Sequence, residues 1–186
     1  MGLVTKIKQL TLLSNEAAEW LEAQIEHFEY RKNEIVLRNG RLCNYLYSIE
    51  AGMMCGYYNK DGKEVCNWIA TENDLATSYY SYISRQTSYE TIECLEAVSA
   101  EALSYEHISA MYTLYPETER AGRLLLEDYY MRLEERLLGI QFRTAKERYD
   151  NLLLKRPEIV QRTPLGKVAS YLGMKQETLS RIRAGK

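Results

Sequence analysis

The sequence predicts an α+β protein: an antiparallel barrel or jelly roll first, then one long helix, then a small helical unit. Three observations carry this. Between Tyr30 and Ser104, short strand-like runs are punctuated by turns every eight to twelve residues, a spacing typical of antiparallel all-β architectures. Around Pro116 the apolar period changes to that of a helix. The last stretch, Thr163 to Lys186, reads as two short helices joined by a tight turn.

Taken in order, Ser14 or Asn15 can cap a first helix in which Ala17, Leu21, Ile25 and Phe28 recur at helical spacing. The strand-like runs follow: EIVL (34–37), YLYSI (45–49), MMCGYY (53–58), KEVCNWI (63–69) and YETIECL (89–95). Asn59-Lys60-Asp61-Gly62, between two of these runs, is a hairpin signal. In the long helix Leu126, Tyr130, Leu133, Leu137 and Ile140 are spaced 4, 3, 4, 3, a coiled-coil seam that suits either a two-fold dimer or packing on the chain's own barrel. A further helix carries Tyr149, Leu152 and Leu153 and is interrupted by Pro157. Thr163-Pro164 then reads as a cap and first helical residue. Leu165, Val168, Ala169 and Leu172 form the inner stripe of that helix, Gly173 permits the turn, and Leu179 and Ile182 point the last helix back onto it.

Composition bounds the function. At 186 residues the chain can bury a real core as one domain or two small ones. No apolar run approaches membrane-spanning length, and Met1–Leu13 lacks the pattern of a secretory signal. The expected location is the cytoplasm. Cys43, Cys55, Cys66 and Cys94 stand singly, as buried reduced thiols do, although Cys55 and Cys66 flank the hairpin and could face each other across it. With two histidines and no metal, phosphate-loop or nucleophile–base signature, neither an enzyme nor a metal site is expected. The net charge of −2 hides an asymmetry: residues 143–186 hold 11 Lys and Arg against 4 Asp and Glu, and residues 1–142 hold 13 against 22. A basic segment on an acidic body suggests a local polyanion contact.

That basic segment carries chemistry suited to DNA. Glu177, Ser180 and Arg181 share one face of the last helix at i, i+3 and i+4. Arginine matches guanine, glutamate the cytosine amino group, and serine either in a major groove.

With these segments in view, the chain resembles the Crp/Fnr family of bacterial transcription regulators over nearly its full length. EIVLRNG, YLYSIEAG, YYNKDGKEV and ENDL, between Glu34 and Leu75, are similar to that family's cyclic-nucleotide-type β-roll, a double-stranded β-helix. VASYLGMKQETLSRIR is similar to its recognition motif and is the most specific match. The resemblance implies a sensor roll over 1–115, a dimerisation and linker helix over 116–142 and a helix-turn-helix DNA-binding domain over 143–186. It implies base reading by Glu177, Ser180 and Arg181, with Gln176 at a variable reading position. Lys155, Arg156, Arg162, Lys167, Lys175, Thr178 and Arg183 are the expected phosphate contacts. The implied partners are double-stranded DNA, a second copy of the chain, RNA polymerase and an unidentified small-molecule effector. No cofactor is predicted.

Three departures from the family pattern bear on the effector and on affinity. The stretch ENDLATSYYSYISRQTSYETIE lacks the Gly-Glu and Arg-Ser/Thr pairs of a cyclic-nucleotide phosphate cassette, and Ser88-Tyr89 stand where Arg-Ser would be. The expectation is that cyclic AMP is not bound in the usual way. Tyr79, Tyr80, Tyr82, Arg85 and Tyr89 cluster there, as an altered aromatic effector pocket or as packing in a vestigial one. The iron–sulfur branch uses clustered N-terminal cysteines, and none precedes Cys43. The β-hairpin wing is expected to be reduced, and Lys175 replaces the usual hydroxyl cap of the recognition helix at a cost of about 1 kcal/mol. The competing reading is a ligand-sensing or partner-binding roll whose C-terminal motif no longer reads DNA.

Overall fold

A computed structural model describes residues 2–185. Two helices open the chain, α1 (Leu3–Leu10) and α2 (Asn15–Gln24). Ser14 caps α2 by accepting from the Ala17 amide at 3.2 Å. The helical period predicted through Phe28 stops at Gln24, and β1 (Glu26–Tyr30) takes over. Tertiary pairing is the reason. β1 runs antiparallel to β8 (Val98–Ser104), and the Phe28 ring packs on Tyr30, Tyr45 and Tyr47.

The remaining strands are β2 (Ile35–Leu37), β3 (Tyr45–Ala51), β4 (Met54–Lys60), β5 (Lys63–Ala70), β6 (Leu75–Ala76) and β7 (Thr91–Cys94). They form two four-stranded antiparallel sheets, in the orders β1-β8-β3-β6 and β2-β7-β4-β5. Ile49, Val98 and Ala100 of the first sheet meet Met54, Ile92 and Cys94 of the second in a closed core. This is the expected roll. The β4–β5 hairpin turns as its residues require. Lys60 pairs with Lys63, while Asp61 and Gly62 adopt φ of 53° and 77°, a two-residue turn of left-handed residues.

Two helices lie in or after the roll, α3 (Tyr79–Ser84) and α4 (Tyr105–Leu114). The long helix α5 (Glu117–Phe142) follows Pro116. The C-terminal part is α6 (Ala145–Lys155), α7 (Pro157–Arg162), α8 (Leu165–Tyr171) and α9 (Gln176–Arg183), with no strand among the described residues. Thr144 and Glu147 close a reciprocal capping box on α6, and Pro157 opens α7 in its first turn, where no amide is needed. Thr163 does not cap α8 as its sequence suggests. Pro164 takes the cap position, and Thr163 is buried with its hydroxyl 3.0 Å from the Met53 sulfur. No described helix is long and apolar enough to cross a membrane.

One core joins the roll to the C-terminal helices. Met53, Cys55, Cys66, Ile69 and Leu95 of the roll pack with Tyr149, Leu152, Ile159, Val168, Leu172 and Leu179. Strand β5 is a sheet edge, and α8 covers it. The Ser170 hydroxyl accepts from the Cys66 amide at 2.9 Å and donates to the Glu64 carbonyl at 3.2 Å. Backbone groups that an open edge would leave unpaired are thereby satisfied. All four cysteines are buried and free.

Candidate nucleic-acid interface

The turn of the helix-turn-helix is held by main-chain bonds and by one side chain from α6. α8 ends in a Schellman arrangement: the Met174 amide donates to the Ala169 carbonyl and the Gly173 amide to the Ser170 carbonyl, each at 3.0 Å. Gly173 has φ of 64°, a conformation that costs a side-chain-bearing residue about 1–2 kcal/mol. Arg148 of α6 braces the same turn, its Nε donating to the Leu172 carbonyl at 2.7 Å. Sequence reasoning does not single out Arg148, because a cation acting across space on carbonyl groups leaves no local pattern.

Past the turn, Leu179 is fully buried and Ile182 packs beside it. Gln176, Glu177, Ser180, Arg181 and Arg183 are therefore left exposed along α9, and Thr178 is half-buried. Lys175 stands at the N-cap and makes no capping bond. The side chains expected to read bases thus share one open helix face.

The expected phosphate contacts divide into two groups. Lys175 and Arg183 are exposed and carry no ion pair among the described residues. Lys155, Arg156, Arg162 and Lys167 are all engaged by carboxylates. Arg162 grips Glu72 at 2.7 Å and Glu96 at 2.5 Å. Lys167 bridges Glu64 at 2.8 Å and Glu93 at 3.0 Å, with its ammonium 4.0 Å from the centre of the Tyr57 ring. Arg156 holds Asp74 and Glu158, each at 2.6 Å, and Lys155 holds Glu135 at 2.8 Å.

These pairings shift the groups that make them. Hydrogen bonds from Arg162 hold Glu72 down to about 2. Burial works to lower the Lys167 pKa, but Glu64 and Glu93 outweigh it and hold the ammonium above its ordinary range. The roll carboxylates Glu64, Glu72, Asp74, Glu93 and Glu96 are the residues that sequence reasoning misses. Their one signal is the acidic balance of residues 1–142, which suggests an outside partner for the basic segment. Much of that charge is instead spent inside the molecule.

The helix seam behaves differently. Leu126, Tyr130, Leu133, Leu137 and Ile140 are between 40% and 60% exposed, so the chain's own roll does not cover them. The five residues suggested for an effector pocket are not gathered around one cavity. Tyr79 stacks on Tyr129 at 3.8 Å, Tyr80 lies against Tyr89 on the surface, and Tyr82 packs edge-on to Tyr105. Arg85 lies over the Tyr105 ring and donates to the Cys43 carbonyl at 2.8 Å. Ser88, where the resemblance would put arginine, is buried and bonded to Ser78 at 2.8 Å. Beside it the Trp68 indole donates to Glu90 at 3.0 Å. Gly56 makes room for that indole, since a Cβ there would stand 2.2 Å from Trp68 Nε1. Burial pushes the Glu90 carboxyl above its ordinary value.

No protein-family model matches the sequence, and no curated protein matches it. Solved structures do resemble it. FixK2 from Bradyrhizobium japonicum superimposes with a TM-score of 0.75 at 19% identity, over 87% of this chain and 83% of that one. A regulator of the Crp/Fnr family from Eubacterium rectale, described as a putative transcriptional regulator, gives 0.73 at 15% identity over 93% and 83%. The c-di-GMP-responsive global regulator CLP of Xanthomonas campestris gives 0.70 at 18% identity over 92% and 91%. Roll, long helix and helix-turn-helix are all included in this likeness, and the chain has the fold of the Crp/Fnr-type transcription regulators.

Proposed function

We propose that this protein is a DNA-binding transcription regulator that acts as a homodimer on a two-fold symmetric operator. The observation that carries the proposal is the open face of α9, where Gln176, Glu177, Ser180 and Arg181 are exposed on a buttressed helix-turn-helix. The uncovered seam of α5 supports the dimer: five apolar side chains at coiled-coil spacing are otherwise left in water. Such a dimer would set two reading helices roughly 34 Å apart, one turn of duplex. The units proposed are a sensor roll (1–115), a dimer helix (116–142) and a DNA-reading part (143–186).

Lys175, Thr178 and Arg183 flank the reading face and serve as its phosphate contacts. Lys155, Arg156, Arg162 and Lys167 join them only where phosphates displace the carboxylates they now hold. The roll is proposed not to bind cyclic AMP in the usual way. The reasons are Ser88 in place of arginine and a Trp68–Glu90 pair closed over Gly56. RNA polymerase and an effector remain part of the proposal as partners.

The test is selection of random duplexes on purified protein, followed by fluorescence anisotropy. Arg181→Ala is expected to cost about 1–3 kcal/mol on the selected site and to relax its base preference. Equal losses on selected and random duplex would remove Arg181 from the reading role. Binding to random duplex should fall steeply with salt. No binding at low salt would favour the second reading, a partner-binding roll, which the engagement of four basic residues by carboxylates supports.

A further inference from the structure

A cavity of about 630 Å³ opens where the C-terminal half of α5, one face of α6 and the roll loop around Glu72 meet. Its volume falls within the roughly 300–1,000 Å³ of small-molecule sites. The acids on its wall are already matched. Asp74 is paired with Arg132 and Arg156, Glu135 with Lys155, Glu158 with Arg156, and Glu72 with Arg162.

Three other guanidinium groups line the same cavity, those of Arg136, Arg143 and Arg148. None has a carboxylate within ion-pair distance among the described residues. Arg136 donates to the Cys66 and Tyr171 carbonyls, each at 3.3 Å, and lies over the Tyr171 ring at 5.1 Å, and its buried Nε has no partner. Arg148 is spent on main-chain carbonyls. Arg143 is exposed at the end of α5.

We propose that this cleft binds a small phosphorylated metabolite. Planar guanidinium forks match phosphate oxygens two at a time, and in a partly enclosed cleft that attraction exceeds its strength in open water. Leu152 and Leu172 on the same wall offer an apolar surface to the organic part of such a molecule. The site spans the junction between α5 and α6, and Arg148 also braces the helix-turn-helix turn. An anion drawing on Arg143 and Arg148 therefore bears on how the reading helix is held. This regulatory consequence rests on the DNA-reading proposal; binding of the anion does not.

The probe is inorganic pyrophosphate, titrated calorimetrically into the full chain at low salt, with citrate as a carboxylate comparator. Saturable binding with one site per chain is expected, tighter for pyrophosphate than for citrate. Arg136→Gln and Arg143→Gln should each weaken it by about tenfold, the scale of one charge-assisted hydrogen bond. Arg120→Gln, which removes the same charge near the other end of α5, should leave it unchanged. Absence of saturable binding, equal loss in the Arg120 variant, or tighter binding of citrate would overturn the assignment. Arg143 is exposed, so its variant tests the site even if the Arg136 variant unfolds. Pyrophosphate binding without duplex binding would retain the site and defeat the DNA reading; duplex binding without pyrophosphate binding would do the reverse.

Discussion

At the scale of the residue, the chain's behaviour turns on where its carboxylates find cations. Glu72 has an ordinary value of 4.5 and is held to about 2 by hydrogen bonds from Arg162. The folded form then binds fewer protons than the unfolded one across that interval, so stability rises with pH there. It is fully present above about 4.5 and is lost as pH falls toward 2. Thermal melts between pH 5 and pH 2 should therefore fall less steeply for Glu72→Gln than for the parent chain. Identical slopes would remove Glu72 from this account. Glu90 runs the other way. Burial raises its carboxyl above 4.5, so its contribution is complete below that value and is lost as pH rises through the folded value. Glu90→Gln should keep the bond to Trp68 and raise the melting temperature at neutral pH relative to acid. A fall at neutral pH would show that the ionised carboxylate is needed where it lies.

At the scale of the element, two features decide whether the chain can present the open face of α9 as proposed. Gly173 has φ of 64°, and a Cβ added there would meet nothing nearer than Ile140 side-chain atoms at 3.8 Å. Gly173→Ala should thus cost only backbone strain, about 1–2 kcal/mol by chemical denaturation, while loosening the angle between α8 and α9. A neutral result would mean that the turn relaxes freely. The second feature is α5. Its seam is exposed in a single chain, and Leu133→Glu with Leu137→Glu should convert the proposed dimer to a monomer in sedimentation velocity while helicity is kept. An unchanged sedimentation coefficient would place the dimer contact elsewhere. The seam is legible from spacing, because a helix repeats its faces every few residues whatever surrounds it. β1 is not, because its residues carry a helical period and become a strand only by pairing with β8.

At the scale of the whole molecule, the C-terminal helices are docked on the roll through a shared apolar core and a belt of ion pairs. Lys167 is the most enclosed cation of that belt, its side chain 16% exposed between Glu64 and Glu93. Removing it leaves two carboxylates facing each other with no cation between them. Lys167→Ala is expected to destabilise the fold by about 1–3 kcal/mol and to speed hydrogen exchange in α8. Exchange unchanged in α8 would mean that the apolar core holds the dock by itself. This changes what the variant reports. A loss of DNA affinity in Lys167→Ala would carry a folding contribution, whereas Arg181 and Arg183 are exposed, so their variants would test the proposed DNA contact without it.

Periodicity and turn chemistry in the sequence determined the roll, the long helix, the helix-turn-helix and the face of α9 left to a partner. Those are local properties: alternation, caps, and glycines where the chain needs left-handed backbone. Long-range contact decided the rest. Tyr79, Tyr80 and Tyr82 are neighbours in sequence yet turn to different surfaces, because α3 distributes its side chains around its axis. The basic residues before the turn look free for phosphate in the sequence, yet they are bound to acids, 66 to 90 residues away in the case of Arg162. Charge composition reports how many ions of each sign a chain carries, and only the tertiary structure decides which of them meet.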